Sequence, residues 1–199
     1  MSKEERMKKI SEEVLHCRLC GLCEGRRNPV VGEGNLDATV VFIGEAPGRR
    51  EDETGRPFVG AAGQLLDRLL HHIGLERGDV YIGNVVKCRP PNNRRPRAEE
   101  IEACAPHLER QLEIIEPRVI APLGNSAIGH LMRRFELTPA YIGRVHGKQS
   151  EVEAPWGQLV LVPLYHPAAA LYLKDLERVL EEDFESLRCL LDRVGASTT

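Results

Sequence analysis

Thr39-Val40-Val41-Phe42-Ile43-Gly44-Glu45-Ala46-Pro47-Gly48 decides the fold. Five β-branched or aromatic residues run straight into a turn shaped by glycine and proline. A strand with one wet face alternates apolar with polar residues; an unbroken run belongs in a parallel sheet covered on both sides. The pattern returns at Leu159-Val160-Leu161-Val162-Pro163-Leu164, followed by Tyr165-His166-Pro167-Ala168-Ala169-Ala170. Open α/β sheets gather their ligands at the carboxyl ends of strands, so both loops are expected at one site. One offers closely approaching backbone amides. The other offers a titratable ring in a pose restricted by the proline after it. Together they suit a developing anion.

Working outward, strands alternate with helices. Residues 3–16 space Met7, Ile10, Val14 and Leu15 on one helical face, and a tight cysteine loop, 17–23, follows. The segment 49–59 is polar and punctuated by Gly and Pro, hence loop. A helix is expected over 60–73, a strand over 80–86, and a basic loop through Arg97. A helix over 98–115 stops before Pro117. A strand at 118–123, a helix at 124–134, a hairpin or excursion at 141–157 and a helix at 173–194 complete the pattern, with 195–199 expected to fray. Alternation of this kind implies a parallel sheet with helices on both faces. No repeat or linker divides the chain, so residues 1–199 form one domain, with 1–37 packed onto it.

The 199 residues are 42% hydrophobic and 29% charged, with a net charge of −3, as in an ordinary globular protein. The charge is uneven: residues 87–97 (KCRPPNNRRPR) carry five Lys or Arg and no acid, whereas 175–185 is mostly acidic. A local basic stretch serves an anionic partner even in a net acidic chain. No stretch has the roughly 18–20 apolar residues a bilayer span needs, and the first thirty residues lack a signal-peptide core. A cytoplasmic location is expected, where six cysteines read as metal ligands or buried thiols before disulfides.

Cys17-x2-Cys20 resembles half of a metal knuckle, and Cys88 and Cys104 can supply the other half if the amino-terminal loop packs against them. Zinc and an iron–sulfur cluster both fit such a set. Cys23 extends the run and could replace either early cysteine. Unliganded burial suits Cys189, on an apolar helix face, better than the clustered three. Glu45, at a strand end, is either a cleft carboxylate or a surface acid. Phe58 sits between Gly- and Pro-shaped turns, outside any apolar period, as a stacking platform or a core anchor. Asn84 ends an apolar strand, where its paired donor and acceptor suit a base edge or a turn contact. Of seven histidines, His166 has the most constrained setting.

Cys-x2-Cys, GEAPG, RPFVGAAGQLL, GNVVKCRPP with a later Cys, and YHPAAAL, in that order, resemble the family 4 uracil-DNA glycosylases across about residues 17–173. The resemblance implies a three-layer α/β/α fold around a central four-stranded, mainly parallel sheet. It implies excision of uracil from double- or single-stranded DNA by a monomer, with no membrane and with downstream repair proteins as conceivable partners. It implies a 4Fe–4S cluster on Cys17, Cys20, Cys88 and Cys104, leaving Cys23 and Cys189 outside the set. Phe58 would stack the base, Asn84 would pair with its edge, the backbone of Gly44, Glu45, Ala46, Pro47 and Gly48 would line the pocket, and His166 would face a pyrimidine carbonyl. Lys87, Arg89, Arg94 and Arg95 would meet DNA, and Leu171 would wedge into the duplex. Related family 1 enzymes have an Asp where this chain has Ala46 and a Tyr where it has Gly48, so Glu45 is the expected water-positioning acid. Two rival readings remain at this point: a non-catalytic binder of damaged DNA, and a zinc-dependent nucleic-acid hydrolase. A closed four-thiolate site leaves zinc no position for water, which counts against the second.

Overall fold

The computed structural model describes residues 1–196. Helix α1 (Lys3–His16) and a single turn, α2 (Leu22–Gly25), precede strand β1 (Glu33–Gly34). Next come β2 (Val40–Gly44), α3 (Arg49–Thr54), α4 (Ala61–His72), β3 (Tyr81–Asn84), α5 (Ala98–Ile115), β4 (Val119–Pro122) and α6 (Gly124–Arg134). The chain continues through α7 (Ile142–Val145), β5 (Ser150–Ala154), β6 (Gly157–Leu161), α8 (Pro167–Ala170) and α9 (Lys174–Ala196). The sheet runs β1-β3-β2-β4-β6-β5. Its four inner strands are all parallel, and each edge strand is antiparallel to its neighbour.

Strand β2 shows why an unbroken apolar run was needed. Val41 and Ile43 pack into a core layer with α1, α5 and α6. Val40 and Phe42 point the other way, into a layer with α4 and α9, where Phe42 stacks on Phe184 with centroids 5.7 Å apart. Successive side chains of a strand face opposite sides, so a strand between two helical layers has no polar position.

Three expectations are corrected. Among the described residues the sheet has six strands, where four were expected: β1 is only two residues long, and β5 forms the near arm of a hairpin whose far arm, β6, starts at Gly157 and not at 159. Residues 49–54, expected as loop, are helical. Only Asp52 of α3 is buried, so the helix carries no apolar period; its ends are set by Glu51 reaching back to the Gly48 amide and by Gly55 at φ +72°. Helix α9 persists through 195 and 196, where fraying was expected; 197–199 lie outside the described residues. Among the described residues no helix is long and apolar enough to cross a membrane.

Helix α1 lies against α5 through Met7, Ile10 and Val14, whereas Leu15, expected on the same face, is exposed. A Glu13–Arg110 ion pair and the Lys3 ammonium on the Ile115 carbonyl (3.3 Å) fasten the two helices. That docking carries the 17–23 loop to the start of α5, where Cys104 sits.

Candidate active site

All four inner strands end at the same side of the sheet, and their carboxyl ends build one cleft of about 480 Å³. From the end of β2 come Glu45, Ala46, Pro47 and Gly48; from β3, Asn84; from the loop after β6, His166; from the turn before α4, Phe58. Gly44 lies beneath them. A Cβ there would sit 2.5 Å from Asn84 Oδ1 and 2.7 Å from Phe58 Cζ, so only glycine lets those two side chains approach the strand end.

Phe58 is held in a left-handed backbone conformation, φ +51°, which costs a bulky residue on the order of 1–3 kcal/mol. Arg77 offsets this by donating to the carbonyls of Pro57 (2.6 Å) and Phe58 (3.1 Å). Its guanidinium is itself locked by Asp67 and Glu33, each at 2.8 Å. A side chain at Gly63 would collide with the Phe58 carbonyl. The ring lies beside the His166 imidazole with centroids 5.5 Å apart and planes 27° apart.

His166 has a defined tautomer. Its Nδ1 accepts from the Ala168 amide at 3.1 Å, so a neutral ring carries its proton on Nε2. Burial pushes its pKa down to about 4, against the opposing pull of the Glu51 charge. The ring is neutral at pH 7 and donates one N–H. The unfolded chain's histidine titrates near 6.5, so between pH 6.5 and 4 only the unfolded state binds the extra proton. This contribution is full above pH 6.5 and falls by about 3 kcal/mol as the pH drops to 4. Histidine NMR is expected to find His166 neutral at pH 5; half-titration near 6.5 would contradict its burial.

Glu51 escaped the sequence reading. One carboxylate oxygen accepts from the amides of Val59 (2.8 Å) and Gly60 (2.9 Å), the other from Gly48 (3.1 Å). It clamps the β2 loop to the turn that bears Phe58, and it takes the Gly48 N–H that could otherwise face a ligand. Its spacing of three from Gly48 was the available signal. Asn125, Ser126 and Tyr165 also line the cleft unforeseen. The first two follow a strand end, β4, just as GEAPG follows β2. There Gly124, at φ +81°, leaves room for His166: a side chain on it would put its Cβ 3.0 Å from His166 Cβ.

Asn84 is 2% exposed, and among the described residues its side-chain amide has no protein hydrogen bond. Its backbone carbonyl accepts from the Lys87 ammonium at 3.0 Å. Lys87 corrects an expectation: read as a DNA contact, it is 1% exposed and also donates to Gln111 Oε1 at 2.6 Å, so it cannot reach a phosphate. The chain stays inside there because the amides of Val85 and Val86 bond to the carbonyls of Gly44 and Glu45. Of the other expected DNA contacts, Arg94 lines the cleft but is paired twice with Glu100 (2.8 and 2.6 Å), holding that carboxyl down at about 2. Arg89 donates to Asn93, while Arg95 is exposed at the cleft with no side-chain partner among the described residues. Leu171 stands outside the cleft, exposed beside Tyr172 and Leu173.

A second cavity is ringed by Cys17, Cys20, Cys23, Cys88 and Cys104. Arg26 donates to Cys88 Sγ at 2.9 Å and to the Leu15 and Cys17 carbonyls; the Lys87 amide donates to Cys104 Sγ at 3.2 Å. Burial pushes the Cys104 thiol up to about 11 and raises Cys88 and Cys20 too. His107 lines the same cavity with both ring nitrogens buried and without a hydrogen-bond partner among the described residues. Buried polar atoms without partners are rare, so soft donors, two cations and an orphaned imidazole fit a thiolate-bound inorganic group. Among the described residues no three His, Cys, Asp or Glu side chains converge closely enough to hold a single ion. Cys23, expected outside the ligand set, also lines this cavity; Cys189, expected buried, is exposed.

The family model described as the uracil DNA glycosylase superfamily matches residues 31–188. The type-4 uracil-DNA glycosylase of Archaeoglobus fulgidus is 50% identical over 184 residues, 92% of each chain. That of Thermotoga maritima is 45% identical over 197 residues, 98% of this chain and 99% of the relative. That of Sulfurisphaera tokodaii is 48% identical over 183 residues, 92% of this chain and 83% of the relative.

Proposed function

Since this chain belongs to the uracil-DNA glycosylase superfamily, in its type-4 branch, we propose that its cleft receives a uracil flipped out of DNA and hydrolyses the N-glycosidic bond. The products are free uracil and an abasic site, the first step in repairing deaminated cytosine. One observation carries this reading: a neutral Nε2–H donor, an unpartnered amide and a buried ring meet at the strand ends. Flipping costs a few kcal/mol, which Leu171 in the vacated gap and phosphate contacts from Arg95 offset. The base stacks on Phe58. Asn84 accepts from uracil N3–H and donates to O4; cytosine presents the reversed pattern and leaves both ends of the amide unpaired. As the bond from C1′ to N1 breaks, its electron pair stays with the base and charge gathers on O2, where His166 Nε2–H meets it. A water held by Glu45 attacks C1′ and gives its proton to that carboxylate.

Cys17, Cys20, Cys88 and Cys104 would hold a 4Fe–4S cluster, with Arg26 and Lys87 offsetting thiolate charge. When bound, it supplies a structural tie between the amino-terminal loop and the segment that follows Asn84. The test is a single-uracil oligonucleotide treated with the enzyme and then with alkali. Strand cleavage at uracil only, by protein carrying about four irons per chain, is expected. Cleavage-free incubation with the iron intact would overturn the enzymatic reading, and zinc in place of iron would overturn the cluster.

A further inference from the structure

Lys87 is a buried ammonium with no carboxylate partner among the described residues. Its ammonium donates to the Asn84 carbonyl (3.0 Å) and Gln111 Oε1 (2.6 Å), while its backbone amide donates to Cys104 Sγ (3.2 Å) and its carbonyl accepts from the Val30 amide (2.7 Å). Buried lysines are seldom left without a counter-charge. Cys104 and Cys88, its neighbour in the chain, are the groups whose thiolates would balance its charge. Gln111 cannot swing away, because its Nε2 is spent on the Val31 carbonyl (3.0 Å) and the Tyr81 hydroxyl (3.1 Å). The Lys87 side chain therefore stands as a strut. One end rests on the cysteine cavity; the other holds the carbonyl of a residue whose own side-chain amide makes no hydrogen bond among the described residues.

We propose that Lys87 is a positioning residue for base recognition, anchored on the cysteine cavity and acting through Asn84. The inference rests on Asn84 reading the base. Gly44 bounds the Asn84 amide on one side, and Lys87 holds its main chain. The Val85 amide on the Gly44 carbonyl (2.9 Å) holds the same peptide by its other end, so without the strut that peptide keeps one tie of two and the aim of the Asn84 side chain loosens. Uracil affinity falls while general DNA affinity does not.

The experiment uses iron-loaded protein and measures affinity for two oligonucleotides. One carries the non-cleavable 2′-fluoro-2′-deoxyuridine, the other a tetrahydrofuran abasic analogue. The ratio of the two affinities isolates base reading from backbone binding. Four proteins are compared: wild type, Lys87→Met, Asn84→Ala and the double variant. Lys87→Met is expected to keep its iron and lower the uracil preference about tenfold, the scale of outer-shell effects. It should lower it no further once Asn84 is already alanine. The salt dependence of binding should stay unchanged, whereas a lost phosphate contact would reduce the slope by about one. An unchanged preference in Lys87→Met, or an equal loss in both backgrounds, overturns the proposal. If Lys87→Met loses iron, Lys87→Gln is measured in its place; iron loss in both confines Lys87 to the cysteine site and overturns it too. A wild type or Asn84→Ala protein that departs from expectation fails the base-reading assignment instead, so the two failures are distinct.

Discussion

Replacing His166 by alanine is expected to slow uracil excision by about 10²–10³, or about 3–4 kcal/mol, the range seen for a lost oxyanion donor. Binding of uracil-containing DNA should change little. The reason lies in when the donor acts. The carbonyl of bound uracil is neutral, and negative charge reaches it only as the glycosidic bond breaks, so the Nε2–H contributes mostly in the transition state. The Ala168 amide on Nδ1 keeps that proton on the correct nitrogen. Single-turnover rates should be used, since slow product release would hide the chemical step. A loss under fivefold would remove His166 from the reaction.

The second large effect concerns Asn84. Its change to alanine is expected to reduce excision by about 10³, since two buried hydrogen bonds to the base are lost together. Iron content and melting temperature should hold, because the amide supports no other part of the protein. Activity within tenfold of wild type would mean that some other group reads the base.

The sheet's inner strands and the cleft's main residues were legible because each is marked locally. An unbroken apolar run ends in a Gly, His or Asn turn, and parallel topology brings the four ends together. Glu51 was hidden for the opposite reason. It acts through three backbone amides, and no side-chain pattern announces that. Helix α3 was missed with it, since a helix burying only Asp52 has no apolar period. Lys87 misled because a run of cations reads as surface, while the backbone bonds of Val85 and Val86 keep that strand end inside. The edge strands β1 and β5 are too short or too mixed to stand out: β5 buries only Val152.

The meeting of early and late cysteines has a bearing on the unfolded chain. A group shared between Cys20 and Cys88, as proposed, would close a ring of about 70 residues, and closing loops of that length removes roughly 4 kcal/mol of freedom from the unfolded ensemble. The ring encloses the GEAPG turn, Glu51, Phe58 and Asn84, yet excludes Gly124 and His166. Base recognition and charge stabilisation thus belong to different topological compartments. Opening the ring should loosen the first before the second: the protein would forget which base to hold while keeping the histidine that breaks the bond.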